Sequence, residues 1–383
     1  MIKKTKKSID EKISIKGVRN KKRIVKVSRT QKENKKDKKM VKRVLTGDRP
    51  TGALHLGHYV GSLKGRVRVQ EEGYECFFLM ADVQALTTHA DRPELIEQSV
   101  REVVLDWMAV GLDPTRPNTH FVLQSGVPEL TELTAYFTML VPFSRMEDNP
   151  TIKTEKAKLG LSPTAGFMIY PISQAADILL FTPYPPMQGD ELLVPVGVDQ
   201  VPHLEETNRV ARRFNSQYGR VFLECTPKVG EVGRLPGIDG QDKMSKSLGN
   251  AIMLKDDAET VVRLVAKMFT DPTKLHMGDP GHPEQCPVFM YHQSFGDKTT
   301  LNERAIACKS GKLGCVECKK QLAQALNAFM DPIRVRRARA EKEPLGDYLQ
   351  KGTLRAREIG QITMEAVHKV MHLNYPGIFK KKR

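Results

Sequence analysis

No stretch of this 383-residue chain approaches the roughly 18 consecutive apolar residues that a membrane-spanning helix needs. Nor does it open with the positive, apolar and small-residue pattern of a secretory leader. A cytosolic, cytoplasmic protein that meets no membrane is therefore the expectation. Internal repeats at the periods of solenoid folds are missing too, which excludes a stacked array. Acidic residues are scarce at the start. Residues 1–43 hold nineteen Lys or Arg against four Asp or Glu, a net +15 out of +16 for the whole chain. The basic excess thus belongs to a tail, and residues 44–383 are close to neutral. So charged and aromatic-poor a segment buries too little surface to offset chain entropy, so 1–40 reads as a disordered extension. Either translation starts at Met40, just before the strand-like "VKRVL", or the tail loosely holds RNA phosphates.

What is present is a globular composition, with 40% apolar residues. Short apolar runs alternate with stretches of helical period. "RVLT" (43–46) leads through a glycine turn to a helix from about Leu56 to Gln70, and "ECFFLM" (75–80) reads as a buried strand. Leu95, Val100, Val103, Val104, Trp107 and Met108 mark one helix face that ends at Gly111. "HFVLQS" (120–125) is a further strand, with a helix from Glu129 to Leu140 behind it. The alternation predicts an α/β fold: a Rossmann-like nucleotide-binding domain at 41–255, with a parallel sheet and ligands at the carboxyl ends of its strands. From 256 to 383 amphipathic stretches (257–269, 319–340, 357–372) follow without a convincing strand, so an all-helical C-terminal domain is expected.

Two short motifs carry the chemistry. In "TGDRPTGALHLGHYVGSL" a turn with Gly47, Pro50 and Gly52 precedes His55, Gly57 and His58 at a helix start. The amide groups and dipole there favour a phosphate, and two imidazoles can donate to phosphoryl oxygens as negative charge builds. Taken alone, two histidines beside a turn suit a structural role equally well. Almost two hundred residues later stands "KMSKSLGN" (243–250), where Lys243 and Lys246 can reach a polyphosphate while Ser245 and Ser247 donate hydrogen bonds. A solvated basic loop would look similar in isolation. The conjunction of the two motifs is the double signature of class I aminoacyl-tRNA synthetases.

Six cysteines are present. Cys76 and Cys225 read as buried apolar fillers. Cys308, Cys315 and Cys318 form C-x6-C-x2-C, and Cys286 lies twenty-two positions before Cys308. Four such thiols in a cytosolic protein predict a metal site, and spacing alone suits both tetrahedral zinc and an iron–sulfur cluster. Beyond them "PIRVRRAR" places Arg334, Arg336, Arg337 and Arg339 along a helix. Such a run is either a solvated face or a contact for RNA phosphates.

Nearly all of 42–383 resembles bacterial-type tryptophanyl-tRNA synthetases: "TGDRPTG", "HLGH", "YPISQAADILL" (170–180), "VPVGVDQ" (194–200) and "KMSKS" occur in that family's order. The resemblance implies attachment of L-tryptophan to tRNA(Trp) through a tryptophanyl adenylate, with ATP and Mg2+, in a homodimer. It implies ATP contacts from Arg49, Pro50, Thr51, Gly57, His58, Gly197, Val198, Asp199 and Leu235, and from Lys243, Met244, Ser245, Lys246 and Ser247. Catalysis falls to His55, His58, Lys243, Lys246 and Ser247. Asp177 accepts the indole N–H, with Tyr170, Gln174 and Gln200 lining the pocket. A 4Fe-4S cluster on Cys286, Cys308, Cys315 and Cys318 is implied, with Zn2+ as the alternative, and the surrounding lysines then face RNA. Three positions depart from the family's usual residues: Arg49 stands for Gln, Gln174 for Met, and Gln84 for a frequent His.

Tyrosyl-tRNA synthetases are the nearest alternative, since some carry a Tyr-Pro, a Gln and an Asp at the spacing of Tyr170, Pro171, Gln174 and Asp177. Those enzymes add a tyrosine where this chain has Leu45. An apolar wall with one buried acceptor suits an indole, which offers a single N–H. A non-catalytic, RNA-binding paralogue and a small-molecule adenylyltransferase are further alternatives. Intact histidines and lysines speak against the first, and the lysine loop with a helical domain behind it is surplus to the second.

Overall fold

The computed structural model describes residues 40–149, 152–153, 163–197, 201–229, 235–240, 244–246, 248–376 and 378. Five strands form one parallel sheet: β1 (Lys42–Asp48), β2 (Glu75–Met80), β3 (Thr119–Leu123), β4 (Glu191–Val196) and β5 (Thr226–Val229), in the spatial order β3-β2-β1-β4-β5. The order reverses between β1 and β4, so the crevice at their carboxyl ends is where such a sheet takes a ligand. β1 and β2 are buried on both faces, which is why their sequences run apolar instead of alternating. Val44, Cys76, Phe78 and Met80 join one core layer, and Leu45, Phe77 and Leu79 the layer on the opposite face.

The connections are helical. α1 begins at Leu56–His58, passes through a π turn at Tyr59–Leu63 and continues over Lys64–Glu71. α2 (Asp82–His89), α3 (Pro93–Val110), α4 (Pro128–Thr138), α5 (Phe143–Glu147), α6 (Ala165–Leu179) and α7 (Val201–Tyr218) complete the wrapping of the sheet. α3 has proline at its start, and Gly111 closes it at φ 111°, in the left-handed region open to glycine. Thr164 caps α6 by accepting from the Phe167 amide at 3.2 Å.

After residue 256 the regular elements among the described residues are helices: α8 (Ala258–Ala266), α9 (Pro287–Phe295), α10 (Leu301–Lys309), α11 (Cys315–Ala340) and α12 (Leu345–Val370). The two longest of these, α11 and α12, differ in where they lean. α11 lies against α3 and α8, whereas α12 returns to the sheet and covers its β3 edge. Gly352 on α12 sits where a Cβ would come within 2.0 Å of the Phe121 carbonyl oxygen, so no larger residue fits. Next to it, Thr353 Oγ1 accepts from the Leu123 amide at 2.9 Å. An edge strand that would expose its ladder groups is thereby closed off. No helix among the described residues is long and apolar enough to cross a membrane.

Candidate active site

At the carboxyl end of β1 the chain makes a turn that few sequences permit. A Cβ on Gly47 would lie 2.2 Å from the Leu79 carbonyl oxygen of β2, and Gly52 adopts φ +109°. Between them Asp48 is the anchor. It takes Arg66 Nη2 at 3.0 Å and the indole Nε1 of Trp107, the chain's one tryptophan, at 2.7 Å. Burial alone would push this carboxyl up, but Arg66, with His58 and Trp107, outweighs that and holds it below the usual carboxylate range.

The turn delivers His55, buried, to the start of α1. Its ring lies 3.8 Å from that of His58, centroid to centroid, and His58 Nδ1 accepts from the His55 amide at 3.2 Å. Gly57 leaves room for this arrangement: a Cβ there would come within 2.9 Å of the His55 ring and 3.5 Å of Met244 Cβ.

Met244 belongs to the distant lysine motif, and the contact is one of several that bring the two motifs together. Residues 252–254 run antiparallel to the histidine turn, with Leu56 N donating to Ile252 O at 3.0 Å and Leu254 N to Leu54 O at 2.9 Å. Lys246 Nζ donates to Gly52 O at 3.0 Å and approaches Thr51 Oγ1 at 3.4 Å. Burial lowers the pKa of Lys246, while Asp48 and Asp106 oppose that shift. The loop's own geometry is set by Asn250. Its Oδ1 accepts from the Ser245 amide at 2.7 Å, and its Nδ2 donates to both Asp239 oxygens at 3.0 Å. Leu235 and Met244 are buried in the core, joined by a bond from Met244 N to Leu235 O, so contact with a nucleotide from either would come from the backbone. Pro50 is buried as well; Arg49 is exposed and Gly197 half-buried at the end of β4. Lys243, Ser247, Val198, Asp199 and Gln200 lie outside the described residues.

A second constellation lies on α6. Tyr170, Gln174 and Asp177 are spaced to share one helix face, and Asp177 is 4% exposed. Gln84 Nε2 donates to one Asp177 oxygen, and Gln124 Nε2 to the other at 2.8 Å. The two glutamines are themselves joined, Gln84 N donating to Gln124 Oε1 at 3.2 Å. Burial pushes the Asp177 carboxyl up to about 7; the Gln124 bond pulls it down and nearby Asp82 adds to the rise. Tyr170 is buried among Phe167 and His203. Gln124, from the short turn after β3, was not singled out by any motif; its role becomes visible once β2 and β3 are neighbours.

The cysteines converge. Cys286, Cys308, Cys315 and Cys318 line one cavity, together with Lys274 and Arg304. Burial raises the thiols of Cys308 and Cys318, the latter to about 12, with Lys274 and Arg304 pulling against it. Among the described residues no three His, Cys, Asp or Glu side chains are grouped closely enough to hold a single metal ion. Of the nearby lysines, Lys312 and Lys320 are exposed, Lys309 pairs with Glu284, and Lys319 donates to Ala266 O at 3.0 Å. Three of the four arginines expected to face RNA are engaged within the protein. Arg334 donates to Asp256 O at 2.8 Å, Arg336 to Ala109 O at 2.6 Å, and Arg337 is buried on Asp106 and Glu102. Arg336 and Arg337 fill the seam between α11 and α3, while Arg334 reaches the backbone just before α8, so these three do not form a freely solvated stripe; Arg339 is exposed.

A doubly wound sheet with paired histidine and lysine motifs at its switch point defines a nucleotide-binding class of protein. The family described as tRNA synthetases class I (W and Y) matches residues 36–331, and the chain belongs to it. Among its relatives, the tryptophan--tRNA ligase of Streptococcus mutans serotype c is 46% identical over 344 residues, 87% of this chain and 98% of that protein. The tryptophan--tRNA ligase of Clostridium longisporum is 45% identical over 342 residues, 87% and 97% of the two chains. Tryptophanyl-tRNA synthetase from Campylobacter jejuni, complexed with ADP and tryptophan, superposes with a TM-score of 0.72 at 31% identity, covering 86% of this chain and 99% of that one.

Proposed function

We propose that the chain is a tryptophan--tRNA ligase, which activates L-tryptophan with ATP and transfers it to tRNA(Trp). The observation that carries the reading is Asp177: a buried acceptor held by two glutamines, in a chain whose paired signature motifs meet about one turn. Leu45, buried on β1, supplies an apolar wall where a phenol would need a donor, and the relatives named above favour tryptophan in the same direction.

In the first step a carboxylate oxygen of tryptophan attacks the α-phosphorus of Mg-bound ATP, and the bond from that phosphorus to pyrophosphate breaks. His55, His58 and the amides at the start of α1 stabilise the negative charge of the five-coordinate state. Pyrophosphate leaves toward Lys246 and Lys243. Arg49, Pro50, Thr51, Gly57, Gly197, Val198, Asp199, Leu235, Met244, Ser245 and Ser247 complete the nucleotide site, while Tyr170, Gln174 and Gln200 line the amino-acid pocket beside Asp177. Positioning supplies most of the rate, because little covalent chemistry is asked of the protein. In the second step a ribose hydroxyl of the tRNA end takes the aminoacyl group and releases AMP. The sheet domain (41–255) does the chemistry, the helical segment (256–383) faces the tRNA, and a second copy of the chain completes a homodimer.

The four cysteines are proposed to hold a 4Fe-4S cluster in preference to Zn2+. Support comes from four soft donors lining one cavity, with Lys274 and Arg304 placed to offset a negative cluster. Bound there, the group would brace the start of α11.

The test of the activity is ATP–pyrophosphate exchange with tryptophan and tyrosine side by side: exchange that depends on tryptophan supports the reading, and exchange driven by tyrosine, or none, refutes it. For the cluster, protein purified without oxygen is expected to show a visible absorption band that Cys315→Ser abolishes. Colourless parent protein carrying stoichiometric zinc would contradict that assignment.

A further inference from the structure

We infer that Arg337 is a positioning residue for the histidine turn: from α11 it fixes Asp106, and Asp106 fixes the backbone of Leu54, the residue before His55. Asp106 stands on α3 and is wholly buried. One of its oxygens accepts from Arg337 Nη1, and the other from the Leu54 amide at 2.6 Å. Arg337 Nη2 also donates to Glu102 Oε2 at 2.8 Å, one helical turn earlier on α3. Glu102 in turn takes Lys255 Nζ at 2.9 Å, and Lys255 directly follows the segment that pairs with the histidine turn.

Two carboxylates on one helix thus hold three segments that the chain keeps far apart: the turn at Leu54, the strand-like exit of the lysine loop, and the long helix α11. The arrangement is more than an ion pair filling a seam. A seam between helices is satisfied by apolar side chains, and a buried pair replaced by such groups is often no less stable. The Leu54 amide is different, because it needs an acceptor of fixed position and Asp106 is that acceptor. Leu54 O is occupied as well, accepting from Leu254 N, so both backbone groups of this one residue are committed before His55 is placed. Small displacements of catalytic groups cost rate steeply, and His55 follows Leu54 directly.

The inference rests on the tryptophan-activating reading, so the parent chain is assayed beside the variants. A parent without tryptophan-dependent exchange would refute that reading; an active parent with unaffected variants would refute this inference alone. The variants are Arg337→Met and the double change Arg337→Met with Asp106→Leu. The single variant strands a buried carboxylate, and both its melting temperature and its kcat are expected to fall. The double variant, which no longer strands a charge but leaves the Leu54 amide without its acceptor, is expected to recover only part of the lost melting temperature, and to keep a kcat about tenfold below the parent's with KM for tryptophan unchanged. That split separates positioning from stability, and the double variant carries the test even where the single one does not fold. A double variant with the parent's kcat, or one whose loss lies in KM for tryptophan, would overturn the inference.

Discussion

Asp177 is a carboxylate placed by residues that no spacing rule connects to it. Gln84 comes from the helix after β2 and Gln124 from the turn after β3, and each occupies one of its oxygens. Burial raises its pKa from an ordinary 3.8 to about 7, so the folded chain binds this proton more tightly than the unfolded chain does. The sign follows: the contribution of Asp177 to stability is full below the unfolded value and is lost as pH rises through about 7. Asp177→Asn should therefore flatten the fall in melting temperature between acid and mildly alkaline buffer that the parent shows. It should also lower kcat/KM for tryptophan by about tenfold or more, the scale of a hydrogen bond to a charged group. Thermal melts across pH, paired with exchange kinetics, check both; a variant with the parent's tryptophan kinetics would remove Asp177 from the pocket. Asp177 and Tyr170 were singled out in the sequence through the likeness of "YPISQAADILL" to the family's motif. Gln124 was not, because its partners depend on the order of the strands.

At the scale of elements, strands read well where they are continuous apolar runs. β1, β2 and β3 stand within a few residues of the runs that foretold them, because central parallel strands bury both faces. β5, short and largely exposed, carries no such apolar run. The helix after the histidines was expected as one regular piece from Leu56, yet it begins with three α-helical residues and a π turn at Tyr59–Leu63. Periodicity cannot show an extra residue per turn of that kind, and such turns gather at functional sites. The amphipathic stretch at 357–372 proved to be the second half of a longer helix that starts at Leu345. Its first half is polar and carries Gly346 and Gly352, which weakens the pattern, and Gly352 is there for close packing on β3. The arginine run misled for a related reason. A helix that packs through its charged side looks solvated until its neighbour is known, and here the neighbour, α3, brings Glu102 and Asp106.

Across the whole molecule, the feature that organises the rest is the meeting of two motifs separated by almost two hundred residues. The backbone pairing of residues 54–56 with 252–254, and the reach of Lys246 to Gly52 O, join them at the switch point of the sheet. Nearly all of the net positive charge of the composition lies in residues 1–43, outside both motifs in the sequence. In the proposed reaction Lys246 serves the departing pyrophosphate at that meeting point and does not serve the amino-acid pocket. Single-turnover adenylate formation, measured beside tryptophan binding in Lys246→Ala, tests it most directly. Adenylate formation is expected to slow by about a hundredfold while the Kd for tryptophan stays at the parent's value, since the lost interaction is realised in the transition state. Equal losses in both, or an unchanged rate, would contradict it.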